Sequence, residues 1–203
     1  MSKMSMKSTI AAICLLVASA TTGSAANLTV VDGELQGASG VVVGGVLFDV
    51  SFLDGTCISV FDGCDDVSDF TFQSQADAAL AGQALLDQVF VDGAQGNFDS
   101  QPELTRGIED QQPASIGILF GLGDQGNALA VVAGNAGNEA FDQIFPDVSG
   151  VIPTFDFGPT DGATFAVFSE SNAAVVPVPA GGVLLLTALT GFVAFKRRKS
   201  VRS

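Results

Sequence analysis

The sequence predicts a β-rich α+β domain with one packed helix, set between an N-terminal signal peptide and a C-terminal membrane-spanning segment. Three observations predict it. Short apolar runs are separated by Asp-Gly turn signals, as in a sheet with many turns. A single stretch, residues 75–90, has helical rather than alternating periodicity. Each end of the chain pairs an apolar run with basic residues, whereas the middle holds only one base.

The strands follow from alternation. Residues 46–53 (VLFDVSFL) place Val46, Phe48, Val50 and Phe52 on one face and Asp49 and Ser51 on the other, a half-buried strand. Shorter runs of the same kind occupy 28–31, 41–43, 116–122, 128–133 and 164–168. Asp32-Gly33, Asp54-Gly55, Asp62-Gly63, Asp92-Gly93 and Asp161-Gly162 punctuate them. The helix begins with Ser74 as its cap and Asp77 three residues on. Ala79, Leu85, Leu86, Val89 and Phe90 share its apolar face, with Asp77, Gln83, Asp87 and Gln88 turned away, and Asp92-Gly93 ends it. Its expected role is packing against the sheet. No repeat of fixed period is found.

The ends read as targeting segments. Lys3 and Lys7 precede the apolar run 10–18, and Ser24 and Ala26 supply the small residues a signal peptidase requires. Cleavage is expected before Asn27, or alternatively before Ala26. Cys14 lies inside the apolar run and lacks a lipid-attachment context. At the other end Val176-Pro177-Val178-Pro179-Ala180 enforces an extended stretch. The apolar run 178–195 is long enough for a short spanning helix, and Lys196-Arg197-Arg198-Lys199 marks its cytoplasmic side. The expected division is therefore signal peptide 1–26, acidic ectodomain 27–173, and tail 174–203.

Every one of the 22 acidic residues lies between Asp32 and Glu170, where Arg106 is the sole base, so the ectodomain carries 22 negative charges against one positive, or −21. Nucleic acid is excluded as a partner, because its binding depends on Lys and Arg neutralising phosphates. Such charge suits a solvated surface in a salty medium. The chain has no histidine, which removes the commonest general base and metal ligand and every Ser-His or Cys-His pair. It also has neither Trp nor Tyr to stack sugars, with 16 Phe supplying all the aromatic rings. A non-catalytic protein is expected.

Three local patterns remain. Cys57 and Cys64 are the only cysteines outside the leader, and in an exported chain they predict a disulfide. Beside them Asp62, Asp65, Asp66 and Asp69 form an acidic turn and a candidate Ca²⁺ site, although they lack EF-hand spacing. Gly121-x-Gly123-x-x-Gly126 matches a dinucleotide-binding pattern, but no convincing helix follows it.

The tail VPVPAGGVLLLTALTGFVAFKRRKS resembles the VPLPA variant of the PEP-CTERM sorting signals of Gram-negative bacteria, with Val178 where the commonest form has Leu. That resemblance covers about the last 27 residues. It implies recognition by an exosortase, transit through the inner membrane, and delivery to the cell surface or extracellular matrix. It also implies association with exopolysaccharide or biofilm. Residues 45–105 resemble an ectodomain type recurring among PEP-CTERM proteins, with no assigned activity. Members of that type carry a second cysteine pair further along, which this chain lacks. The expected function is a non-catalytic surface or matrix protein sorted by its tail. The alternative is a calcium-dependent binding or adhesion module.

Overall fold

Alternating burial is clearest in β3 (Val46–Leu53), where Phe48, Val50 and Phe52 are buried. Asp49 and Ser51 face the other way, as the sequence predicts, whereas Val46 at the strand's start is half exposed. The computed structural model describes residues 26–109, 113–137, 141–157 and 162–171, by backbone alone at 147–149. The predicted leader up to residue 25 and the tail from residue 172 lie outside the described residues.

The domain is mainly β, with one substantial helix. Strands β1 (Asn27–Val31), β2 (Glu34–Val43) and β3 form a meander, as do β6 (Ala114–Leu122), β7 (Ala128–Asn135) and β8 (Gln143–Val151). The last strand, β9 (Ala163–Glu170), enters between the two meanders, antiparallel to β3 and parallel to β6. One seven-stranded sheet results, in the order β1-β2-β3-β9-β6-β7-β8. A separate two-stranded ribbon joins β4 (Asp92–Gly93) to β5 (Gly96–Asn97).

Because β9 is central, each of its faces meets a different core. Ala166 and Phe168 join the larger cluster with Phe48, Phe52, Ile116, Ile118, Val131 and the helix. Phe165 and Val167 join a smaller cluster on the opposite face with Phe61, Phe70, Leu119 and the two bridged cysteines. The sheet is thus covered on one side by a helix and on the other by the disulfide loop.

Helix α2 (Gln75–Gln88) packs against β6 and β7 and reaches β2 and β8. Ser74 caps it, accepting the Asp77 N–H at 3.1 Å, while Asp77 accepts the Ser74 hydroxyl at 2.7 Å. Its buried stripe differs from the predicted one: Ala78, Ala81, Gly82, Leu85 and Leu86 face the sheet, with Val89 and Phe90 following, whereas Ala79 is only partly covered. The small residues set the approach distance. A Cβ on Gly82 would lie 3.0 Å from Ile144 Cδ1 and 3.5 Å from Ala133 Cβ, so glycine lets the helix settle onto the sheet. The helix ends at Gln88 rather than at Asp92-Gly93, which instead belongs to the ribbon.

Both sheet edges are blunted. On β8 the edge carries Pro146, which has no N–H to offer, and its carbonyl accepts the Gln75 side-chain amide. On β2, beyond the end of β1, the Gln88 side chain occupies both backbone groups of Val42.

Candidate functional site

The predicted sorting motif, residues 176–180, and the predicted membrane segment lie outside the described residues, among which no helix is long and apolar enough to cross a membrane. The described residues show where the chain joins the sheet. Asn27 opposes Ser39 and Val43 opposes Val46, so β1 starts at the end of the sheet that carries the β2–β3 turn. β9 finishes at the same end, with Glu170 opposite Phe48 and the Ser171 N–H donating to Leu47 O at 2.9 Å. The chain therefore enters and leaves the domain at one end.

Cys57 and Cys64 are bonded to each other, with Cα atoms 5.7 Å apart and both side chains buried against the second face. The bond holds the loop through Phe61 onto the sheet, where the Phe61 ring meets Phe70 at 5.6 Å and Phe165 at 5.5 Å, edge to face. A helical turn α1 (Cys57–Val60), capped by Thr56, opens this loop.

Two of the four carboxylates beside the bridge have local duties. Asp66 caps the 3₁₀ turn Val67–Asp69, its Oδ1 accepting the Ser68 N–H at 2.9 Å and the Ser68 hydroxyl at 2.8 Å. The Ser68 N–H holds the Asp66 carboxyl below its usual range. Asp69 Oδ2 accepts the N–H groups of Asp65 and Asp66, both at 3.1 Å. Two of the four are thus engaged in folding their own turn, and Asp62 and Asp65 stand exposed. Among the described residues no three His, Cys, Asp or Glu side chains gather in a way that could hold a metal ion.

Asp92 does similar work in the ribbon. Its Oδ1 accepts the N–H groups of Ser100 at 3.0 Å and Asp99 at 3.1 Å, and the Ser100 contact lowers its pKa. Buried Asn135 ties this segment to β7 by donating to Phe98 O at 2.8 Å.

A polar cluster that the sequence did not announce lies at the opposite end of the sheet from the two attachment points. Asp54 follows β3 there, beside Thr164 at the start of β9, with Arg106, Glu34 and Asp156 near enough to act on its charge. Partial burial pushes the Asp54 carboxyl above 3.8, with Glu34 and Asp156 adding repulsion. Thr164 and Arg106 act the other way and favour the charged form. The Thr164 and Thr105 hydroxyls are buried and make no hydrogen bond of normal geometry, although Thr164 lies against Asp54. Gly107, at φ +80°, closes the 105–108 turn over this carboxylate: a Cβ there would fall 1.7 Å from Asp54 Oδ1. Arg106, the domain's one base, donates to Gln36 Oε1 at 3.1 Å. These groups come from places spread between Glu34 and Thr164, so no local spacing could reveal them.

Among the described residues, two surface grooves are of a size to note. One, about 380 Å³, is lined by Gln83, Leu86, Asp87, Val91 and Asp142. The other, about 540 Å³, is lined by Gly123, Asp124, Asn127, Leu129 and Gly150. The second overlaps the glycine pattern 121–126, but the last three residues of that pattern form a 3₁₀ turn and strand β7 follows, so no helix N-terminus is offered to a phosphate. Compared with known protein families, curated proteins and solved structures, the chain finds no match.

Proposed function

We propose that this chain is an exported, non-catalytic cell-surface or matrix protein, carried to its destination by a PEP-CTERM-like tail and associated with exopolysaccharide or biofilm. The observation that carries the reading is the order of features at the C-terminus: Val176-Pro177-Val178-Pro179-Ala180, an apolar run, then Lys196-Arg197-Arg198-Lys199. Four consecutive cations resist crossing, at about 2.5–3.5 kcal/mol each at the bilayer centre, so the chain halts with the acidic domain outside. An exosortase-type enzyme would then meet the extended motif at the outer face.

The fold is consistent with that order of events. Its last strand ends at Glu170, so little chain separates the folded sheet from the motif. Attachment at one end leaves the opposite end, with Asp54 and Arg106, directed away from the tether. The lack of histidine in the sequence supports a non-catalytic role.

Protease shaving of intact cells tests the reading. Peptides from residues 27–171 should be released from whole cells. Their release only after lysis, from the cytoplasmic fraction, would refute export.

A further inference from the structure

On the face opposite α2, the segment that follows β8 runs back along the disulfide loop. The Ile58 N–H donates to Pro153 O at 3.2 Å, Thr56 pairs with Asp156, and the Phe157 N–H donates to Gly55 O at 3.3 Å. These contacts bring three large apolar side chains into one neighbourhood, each about half exposed: Ile58 at 45 %, Ile152 at 53 % and Phe155 at 46 %. Apolar side chains grouped in this way on a surface of such acidity mark an interaction site more than isolated ones do.

Phe155 is not a loose ring. It meets Phe157 at 5.3 Å, edge to face, and Phe157 meets buried Phe165 at 4.8 Å in the same manner. Phe165 in turn packs against Phe61, and Phe61 against Phe70. The exposed ring is therefore the outer end of a chain of rings rooted in the second core. An aromatic anchor held this way loses little freedom on binding, which is the property of an interface hot spot.

The surroundings select the partner's charge. Asp156 follows Phe155 directly, Asp54 lies within electrostatic reach of Asp156, and exposed Asp62 and Asp65 stand on or beside the loop that Cys57–Cys64 closes. An aromatic face flanked by carboxylates suits an ammonium or guanidinium group, which both the ring quadrupole and the carboxylates attract. A second copy of the same −21 domain would bring repulsion instead.

We propose that Ile58, Ile152 and Phe155 form a docking surface for a cationic polypeptide segment, one that alternates Lys or Arg with apolar residues. The apolar side chains cover the Ile58–Ile152–Phe155 group and the cations sit over Phe155 and among the neighbouring carboxylates. Attraction along the whole acidic surface speeds encounter, and the apolar group gives the place.

The test uses the full-length protein and a fluorescent synthetic peptide of alternating Lys and Leu, with Lys-Ser and Glu-Leu peptides as controls. The Lys-Leu peptide should bind saturably, more tightly than either control. Phe155→Ser combined with Ile152→Ser leaves the net charge unchanged and should weaken that binding about tenfold or more. Equal binding by wild type and the double variant would overturn the proposal, because charge alone would then explain it. Equal binding of the Lys-Leu and Lys-Ser peptides would do the same. Self-association of the wild type, abolished by Phe155→Ser, would assign the surface to a second copy instead and also overturn it. If Phe155→Ser disturbs cooperative melting, Ile152→Ser carries the comparison, since it stands outside the chain of rings.

Discussion

The side-chain amide of Gln88 closes a two-hydrogen-bond ring with the backbone of Val42: Nε2 donates to Val42 O and Oε1 accepts the Val42 N–H, each at 2.9 Å. A side chain on the last turn of α2 thus stands in for a strand at the open edge of β2. The register of β1 on β2 explains why the place is vacant. Asn27 opposes Ser39, so only residues upstream of Ala26 could continue that ladder to Val42. The helix stops the ladder near the place where the leader is expected to be removed.

Replacing Gln88 with Ala should lower stability by about 1–3 kcal/mol, because two partly buried backbone groups lose their partners. It should also speed amide exchange at Val42 selectively. Denaturant unfolding gives the first quantity and residue-resolved exchange the second. Unchanged protection at Val42 would show that the pairing does not persist in solution.

The Cys57–Cys64 bond closes a short loop, and loop-closure entropy alone assigns it about 2.5 kcal/mol. Changing both cysteines to Ser should therefore lower the melting temperature, and reductant should do the same to the wild type alone. The loss should appear first in the smaller cluster around Phe61 and Phe165, leaving the α2 side protected longer. Mass spectrometry after alkylation without reductant should find neither thiol labelled.

Two carboxylates should have opposite pH signatures. Asp54 titrates above 3.8 in the folded state, so the native protein holds its proton more tightly than the unfolded chain. Its contribution then falls as pH rises from 3.8 through the raised value. Asp54→Asn should abolish that fall and leave the protein relatively more stable at neutral pH. Asp92 titrates below 3.8, so its stabilisation is present above that value and lost as pH drops through the lowered one. Asp92→Asn should destabilise at neutral pH, and the difference from wild type should vanish in acid. Unfolding free energies measured across pH for both variants check the signs.

Divalent cations offer a further check. Asp66 Oδ1 and Asp69 Oδ2 already accept backbone N–H groups, so they enter any cation site at the expense of the turn they hold. Screening of the −21 charge should raise the melting temperature with Ca²⁺ and Mg²⁺ alike at equal ionic strength. A rise specific to Ca²⁺, removed by Asp65→Asn, would favour the calcium-binding alternative.

The sequence was most legible where one face of a strand is buried. In β3, alternation gave the full span and the inward side chains, and Ser74 announced the start of α2. Strand β8 escaped because Pro146 and Gly150 read as interruptions, yet an edge strand tolerates both, since one row of its backbone groups needs no partner. The first half of β2 escaped for a similar reason, its Gly37 and Gly40 diluting the apolar pattern. Periodicity places Gln88 away from the apolar face, and polarity does not reveal a backbone partner 46 residues away. Nothing local could indicate that β9 enters between β3 and β6, and the Asp54 cluster depends on that insertion.

The central claim is that the tail is a sorting signal and that its proline motif is read by a processing enzyme. Intact mass of the exported protein tests it most directly, compared between wild type and a variant with Pro177→Ala and Pro179→Ala. The account predicts a wild-type mass starting at Ala26 or Asn27 and lacking the basic end of the tail, with the double variant inserted but retaining residues through Ser203. Identical masses for the two proteins, both retaining Ser203, would contradict it and leave a plain membrane anchor.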